Sequence, residues 1–133
     1  MIIKPDCRYF DGEKPCKFKR PCEGCDEYNP MGKRILIVKL AAIGDVLRTT
    51  ALLPALKNEY PESYITWVVD APSFGLLQGS RFIDRLFEFN EESRMRLSVE
   101  DFDLLLSLDK DSSAAAWAMQ VRAEEKKGFG LSR

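Results

Sequence analysis

Residues 34–61 read RILIVKLAAIGDVLRTTALLPALKNEYP and begin a pattern that continues through the rest of the chain. Residues 34–40 form a short apolar run rich in β-branched side chains, which is typical of a buried parallel strand. A loop of small residues follows, and Asp45 then opens a segment whose less polar residues recur at helical spacing. Those residues are Thr49, Leu52, Leu53, Leu56 and Tyr60. Pro61 predicts the end of this helix, and Pro54 predicts a kink or a restart within it because proline lacks a backbone N–H.

The rest of the chain alternates between strand-like and helix-like segments. Further strands are predicted at 64–69, 85–89, 104–108 and from Lys127, and helices at 73–78 and after Ser112 or Ser113. The charged residues 90–100 are predicted to form a loop or a surface helix. This order predicts an α/β fold, a Rossmann-like parallel sheet with helices on both faces, with Trp67 and Trp117 in the core. In such sheets ligands bind at the carboxyl ends of the strands, which are predicted at 41–45, 70–73 and 109–113.

Composition narrows the classes of function. The chain has 133 residues, enough for one core, and its 45% hydrophobic and 31% charged residues are typical of a globular domain. The 20 Lys and Arg residues against 21 Asp and Glu residues give a net charge of -1, which argues against a dedicated nucleic-acid binder. Histidine is absent, which excludes a Ser-His-Asp or Cys-His mechanism and imidazole metal ligands within the chain. Neither a signal peptide nor an apolar run of about 20 residues is evident, so we expect a cytoplasmic protein.

The loop between the first strand and the first helix has the chemistry of a binding site. Ala41, Ala42 and Gly44 are small enough for a substrate to approach the backbone and the amides of the following helix. Asp45 lies at the start of that helix, where the helix dipole and N–H donors favour its ionised form. An ionised carboxylate at the mouth of a cleft suits a general base toward a substrate hydroxyl; the alternative is an ordinary helix N-cap. The loop lacks the glycine spacing of dinucleotide and P-loop motifs, so nucleotide binding by this segment is not predicted.

With these residues in view, the chain resembles glycosyltransferase family 9, the ADP-heptose:lipopolysaccharide heptosyltransferases. The resemblance is most specific at the Ala-Ala-Ile-Gly-Asp turn that ends in Asp45. It continues in the same order through YITWVVDAPSFGLL, FIDRLFEF and DFDLLLSLDKDSSAAAWAMQVRAEEKKGFG. It therefore covers nearly all of residues 34–133.

The resemblance implies a GT-B architecture in which residues 33–133 are the N-terminal, acceptor-side domain. It implies an inverting, metal-independent transfer of heptose from ADP-heptose to a lipopolysaccharide-core-type acceptor, with Asp45 as the general base. Lys39 and Arg48 are candidate contacts for a phosphate or carboxylate of the acceptor, with solvated side chains as the alternative reading. Ala42 and Gly44 complete the predicted acceptor contacts.

The same resemblance sets expectations about partners. The nucleotide-sugar donor is expected to bind mainly to a second domain that these residues do not contain. The chain is therefore expected to be a fragment without transferase activity of its own. A glycan or lipid-linked sugar acceptor is the expected partner. Peripheral contact with the inner membrane face and the oligomeric state are left open.

Residues 1–32 differ in composition and hold all four cysteines of the chain. Cys7, Cys16, Cys22 and Cys25 follow the spacing C-x8-C-x5-C-x2-C, and the final pair is typical of a zinc knuckle. The prediction is a structural zinc site, since four protein ligands leave no open position for a substrate. An iron–sulfur cluster, disulfides and unliganded thiols are the alternatives.

Two other classes of function stay open from the sequence. One is a non-catalytic binding module, in which the four-cysteine knuckle recognises a protein or nucleic acid and sits on an α/β domain. The other is a nucleotide-binding domain of the oxidoreductase type, which the missing glycine fingerprint speaks against.

Overall fold

The computed structural model describes Cys7, Arg8, Gly24 and residues 31–130 of the 133-residue chain. The chain divides into two compact units, Met1–Gly32 and Lys33–Arg133. All helices and strands named below lie in the second unit. The zinc site predicted in the first unit stays a prediction.

The second unit is built from short strands and helices. In chain order they are β1 Arg34–Val38, α1 Ile43–Thr49, α2 Leu52–Glu59, β2 Tyr64–Val69, α3 Ala71–Leu77, β3 Arg85–Glu88, α4 Glu91–Leu97, β4 Asp101–Ser107, α5 Ser112–Gln120 and β5 Arg122–Gly128. Each helix has seven to nine residues. In the described part of the chain, none has the length and apolar character that crossing a bilayer requires.

The strands of this unit form one parallel sheet in the order β3-β2-β1-β4-β5. β1 is central, and its Ile37 pairs with Trp67 of β2 on one side and with Leu106 of β4 on the other. From β1 the chain moves outward through β2 to β3 and then returns to β4 on the opposite side of β1. The strand order therefore reverses between β1 and β4. In open parallel sheets, ligands bind in the crevice at the carboxyl side of such a reversal.

Hydrophobic cores cover both faces of the sheet. On one face, strand residues such as Leu36 and Leu105 pack with α4 and α5, including Trp117. On the other face, Ile37 and Trp67 pack with residues of α1, α2 and α3. Successive residues of β1 alternate between the two cores, as the pleat of a strand requires. The predicted α/β fold with helices on both faces is confirmed, as is the burial of both tryptophans.

The helical segment after β1 is interrupted, as Pro54 predicts. α1 ends at Thr49, and α2 restarts with Pro54 as its third residue, where a missing N–H breaks no helical hydrogen bond. The start was predicted too late, because α1 begins at Ile43 rather than at Asp45. Leu52, predicted on the apolar face, is exposed because it lies at the start of the second helix rather than in a continuous one.

Aspartates that follow strands cap two of the helices. Asp70 caps α3 by accepting a hydrogen bond from the backbone N–H three residues later, at 3.1 Å. Asp111 caps α5 in the same way at 3.0 Å, so the predicted caps Ser112 and Ser113 are wrong by one or two residues. An aspartate side chain satisfies the free N–H groups of a first turn at either place.

The other differences from the sequence predictions lie where the hydrophobic pattern is weak. β5 begins at Arg122 rather than at Lys127, and most of its side chains are exposed because it is an edge strand. β4 begins at Asp101, three residues before the predicted apolar run. The charged segment 90–100, predicted as a loop or a surface helix, contains the helix α4, so the second alternative is confirmed; the helix begins with a reciprocal pair of hydrogen bonds between Asn90 and Ser93.

Candidate functional site

The predicted catalytic and acceptor-binding residues lie together at the carboxyl end of β1. Lys39 directly follows β1, Ala42 is the N-cap of α1, and Gly44, Asp45 and Arg48 lie within α1. The neighbouring loop, residues 108–111, follows β4 on the other side of the reversal in strand order. The candidate residues predicted from the sequence therefore lie at the end of the sheet where open parallel sheets bind their ligands.

On the β2 side, the loop after β1 is held through its carbonyl groups. The indole Nε1 of Trp67 donates to the carbonyl oxygen of Lys39 at 3.0 Å. The backbone N–H of Asp70 donates to the carbonyl oxygen of Leu40 at 3.2 Å. Both donors belong to β2 or directly follow it, so the path of this loop is tied to the neighbouring strand.

On the β4 side, the same loop is held by the carboxylate of Asp109. Its Oδ2 accepts hydrogen bonds from the backbone N–H groups of Leu40, at 2.8 Å, and Ala41, at 3.1 Å. Its Oδ1 accepts from the backbone N–H of Asp111 at 2.9 Å, and the Nζ of Lys39 lies 3.8 Å from Oδ2. Asp109 is buried, so these donors replace the water that an exposed carboxylate would have.

These contacts shift the ionisation of Asp109. Burial by itself raises the pKa of this carboxyl group. The hydrogen bonds from the N–H groups of Asp111, Ala41 and Leu40, with the charge of Lys39, outweigh burial and bring the pKa below its ordinary value of 3.8. Asp109 is therefore ionised at neutral pH. The sequence marked it only as the acidic residue of a candidate loop, and its position after the predicted strand 104–108 is the signal that could have pointed to it.

The lowered pKa predicts how stability depends on pH. A group whose pKa is lower in the folded state stabilises the fold above its unfolded pKa, and this contribution is lost as the pH falls through the folded pKa. We therefore expect the difference in unfolding free energy between the wild type and Asp109→Asn to be full at neutral pH and to shrink below about pH 3.8. Urea unfolding of both chains over that range measures it. A difference in unfolding free energy that stays constant down to acid pH contradicts the lowered pKa of Asp109.

Asp45 is the third residue of α1, and its carboxylate is exposed. Its side chain is 54% exposed, and Oδ1 accepts a hydrogen bond from Nη2 of Arg48, itself 81% exposed, at 2.7 Å. Asp45 does not cap the helix, because the N-cap is Ala42 and no side chain caps α1. The alternative interpretation of Asp45 as an N-cap is therefore wrong. Its carboxylate lies in the first turn of the helix and faces solvent.

The other predicted acceptor contacts differ in their surroundings. Lys39 is only 12% exposed and faces Asp109, so it does not extend into solvent. Ala42 and Gly44 are exposed. A Cβ added at Gly44 meets nothing within 4 Å, and its backbone is not in the left-handed region. The fold itself therefore does not require glycine at this position.

Three of the four predicted metal ligands, Cys16, Cys22 and Cys25, lie outside the described residues, and Cys7 lies within them. Among the residues that are described, no group of three or more Cys, Asp or Glu side chains is placed to hold a metal ion. The zinc site, with an iron–sulfur cluster as its alternative, stays a prediction.

Comparison with known proteins points to glycosyltransferases. No family model matches the chain. The lipopolysaccharide core heptosyltransferase OpsX of Haemophilus influenzae is 28% identical over an alignment of 109 residues, and the match covers 76% of this chain and 31% of OpsX. This similarity in sequence supports the resemblance to glycosyltransferase family 9.

Solved structures agree with the fold. A family 9 glycosyl transferase from Veillonella parvula matches with a TM-score of 0.63 and 24% identity, over 74% of this chain and 32% of that protein. The E. coli heptosyltransferase WaaC with ADP matches with a TM-score of 0.62 and 22% identity, over 70% of this chain and 33% of WaaC. At these identities the likeness shows the fold alone. The chain spans about a third of the length of the proteins it matches.

Proposed function

We propose that this chain is the acceptor-binding part of an inverting glycosyltransferase that moves heptose from ADP-heptose to a lipopolysaccharide-core-type acceptor. The observation that carries the proposal is the exposed carboxylate of Asp45, placed in the first turn after the central strand where the strand order reverses. The similarity to a lipopolysaccharide core heptosyltransferase supports the class of reaction.

In this proposal Asp45 acts as the general base. Its carboxylate takes the proton of an acceptor hydroxyl while the hydroxyl oxygen forms a bond to the anomeric carbon of the donor sugar. The bond from that carbon to the diphosphate breaks, and ADP leaves with the electron pair. The guanidinium of Arg48 donates a hydrogen bond to Oδ1 of this carboxylate.

The small residues of the turn support close approach of the acceptor. Ala42 and Gly44 present little side chain beside Asp45, and the space around Gly44 is open. A glycine that neither its backbone conformation nor its neighbours require fits a site that must admit a ligand. Lys39, held beside Asp109, places a positive charge near the same loop for an anionic acceptor group.

Filling the space at Gly44 tests this placement. We expect Gly44→Leu to weaken binding of a deacylated lipopolysaccharide inner-core oligosaccharide by about tenfold or more, since each 1.4 kcal/mol is a factor of ten. Binding is measured by NMR titration of the isotope-labelled chain. The amide signals of residues 41–48 and 109–113 are expected to shift in the wild type.

Gly75→Leu is the matched control. Gly75 also lies in a short helix with nothing within 4 Å of an added Cβ, but on α3. Both substitutions are expected to leave the fold intact and to favour their helices by about 0.5–1 kcal/mol, because leucine has the higher helix propensity. Equal binding by Gly44→Leu and the wild type, or equal loss in Gly75→Leu, contradicts the site.

The alternative of a non-catalytic zinc-knuckle module is less well supported. The 109 residues of similarity to a heptosyltransferase exceed the 32 residues of the cysteine-rich unit, so they include much of the α/β domain. The matches to solved structures show the fold alone and give no ground for assigning the function to the cysteines.

A further inference from the structure

We infer that Asp109 is a positioning residue, which holds the β1–α1 loop so that Asp45 projects into the crevice beside β4. The inference rests on the proposed function for the role of Asp45. The sequence and the comparisons assign Asp109 no role. Three observations carry it: the weak packing of α1, the hydrogen bonds to the loop, and the link to α5.

Packing alone holds α1 weakly. The helix has seven residues, and Val46 is its one buried residue. Ile43 and Leu47, one turn apart, are each about half exposed, at 49% and 48%. A helix with so small a buried face is not fixed in orientation by its core contacts. Its direction depends on the residues that lead into it.

The residues that lead into α1 are held most directly by Asp109. Its Oδ2 accepts hydrogen bonds from the N–H groups of Leu40 and Ala41, which lie two residues and one residue before the N-cap Ala42. Removal of the carboxylate leaves two N–H donors of the loop without their partner, and that of Leu40 is buried, which favours a different loop path. A change of path at Ala41 moves Asp45, because only the first turn of α1 separates them.

Asp109 is itself oriented from the other side. Its Oδ1 accepts from the N–H of Asp111, and the carboxylate of Asp111 caps α5. The start of α5 and the start of α1 are therefore joined through one buried carboxylate across the reversal in strand order. This arrangement fixes the two sides of the candidate crevice relative to each other.

The test compares Asp109→Ala with Asp103→Ala. Asp103, in β4, is the matched control, because its carboxylate also accepts a backbone N–H, that of Arg34 at the start of β1, at 2.8 Å, but at the amino end of the strands. We expect Asp109→Ala to lower kcat of sugar transfer about 10- to 100-fold, with KM changed less than about threefold, since small displacements of a reacting group have effects of this size. Asp103→Ala is expected to lower stability while kcat stays within about twofold of the wild type.

Asp109→Asn provides partial rescue and replaces the alanine variant if that chain does not fold. Its amide oxygen retains the acceptor for Leu40 and Ala41, while its NH2 group faces the N–H of Asp111 and cannot accept from it. An intermediate kcat is expected. A purely structural role predicts instead that kcat falls with stability alike in the Asp109 and Asp103 variants, and that result overturns the inference.

A second readout separates this inference from the proposed function. In the isolated chain, Asp109→Ala is expected to speed hydrogen exchange at Leu40 and Ala41 and to shift the amide signals of residues 41–48. If the wild-type complete gene product transfers no sugar, the proposed function fails. The exchange rates and amide signals then decide by themselves whether Asp109 fixes the path of the β1–α1 loop. Unchanged exchange and unchanged signals overturn the inference even in an active enzyme.

Discussion

Under the proposed function, Asp45→Asn is expected to lower kcat for heptose transfer by about 10²- to 10⁴-fold, the usual contribution of a positioned general base. Asparagine has nearly the same shape and cannot take a proton from the acceptor hydroxyl. KM is expected to change little, because the loop that admits the acceptor is held by Asp109 and by β2 rather than by Asp45. Stability is expected to change by less than about 1 kcal/mol, because the ion pair with Arg48 is exposed.

The measurement is steady-state transfer from ADP-heptose by the complete gene product. Asp101→Asn is its matched control, because Asp101 also forms an exposed ion pair with an arginine, Arg122, at 3.0 Å, but at the opposite end of the sheet. The control is expected to keep wild-type kcat and KM. An Asp45→Asn enzyme within about threefold of the wild-type kcat removes Asp45 from the role of base.

The location of the candidate site was predictable because it depends on local patterns. β2 is buried at every position, and such apolar runs give strands with well-defined limits. Once strand and helix alternate, the carboxyl ends of the strands, that of β1 among them, are the places where a ligand is expected to meet the sheet. Asp45 needed no tertiary information, since its place in the turn after the first strand already brings it there.

Interactions between distant segments were not predictable in the same way. Asp109 contacts Leu40 across 69 positions of sequence, and that contact depends on β4 pairing directly with β1. A sequence read segment by segment does not contain the strand order, and β4 could as well have joined the sheet beside β3. The exposed edge strand β5 was bounded wrongly for a related reason, because an edge strand with solvated side chains carries no hydrophobic pattern.

A second arrangement that the sequence did not reveal lies at the amino ends of the strands. Glu100, 4% exposed, accepts hydrogen bonds from Arg34 at 2.8 Å and from Arg85 at 2.9 and 3.1 Å. Arg34 and Arg85 are the first residues of β1 and β3, and Glu100 directly precedes β4. One buried carboxylate thus joins three segments of the sheet, and Arg85 also donates to Oγ1 of Thr66 at 3.1 Å.

Glu100→Ala is expected to destabilise the domain by about 3–5 kcal/mol, because it leaves two largely buried guanidinium groups without their shared partner. That is a large part of the roughly 5–15 kcal/mol of a typical domain, and the expected fall in Tm is more than about 10 °C. Thermal and urea unfolding measure both. Glu100→Gln, which keeps an acceptor oxygen but loses the charge, is expected to lie between the alanine variant and the wild type.

Glu125→Ala is the control for this prediction, because the ion pair of Glu125 with Lys127 is exposed and its removal is expected to leave stability nearly unchanged. A similarly small effect of Glu100→Ala contradicts the structural role of the buried cluster. The cluster lies at the amino ends of the strands and Asp45 at the carboxyl ends. We therefore expect the substitutions at Glu100 to affect stability and Asp45→Asn to affect kcat. Below its lowered Tm, the Glu100→Gln chain is expected to bind the acceptor oligosaccharide as the wild type does, because Glu100 accepts its hydrogen bonds from Arg34 and Arg85, which lie at the other end of the strands from α1.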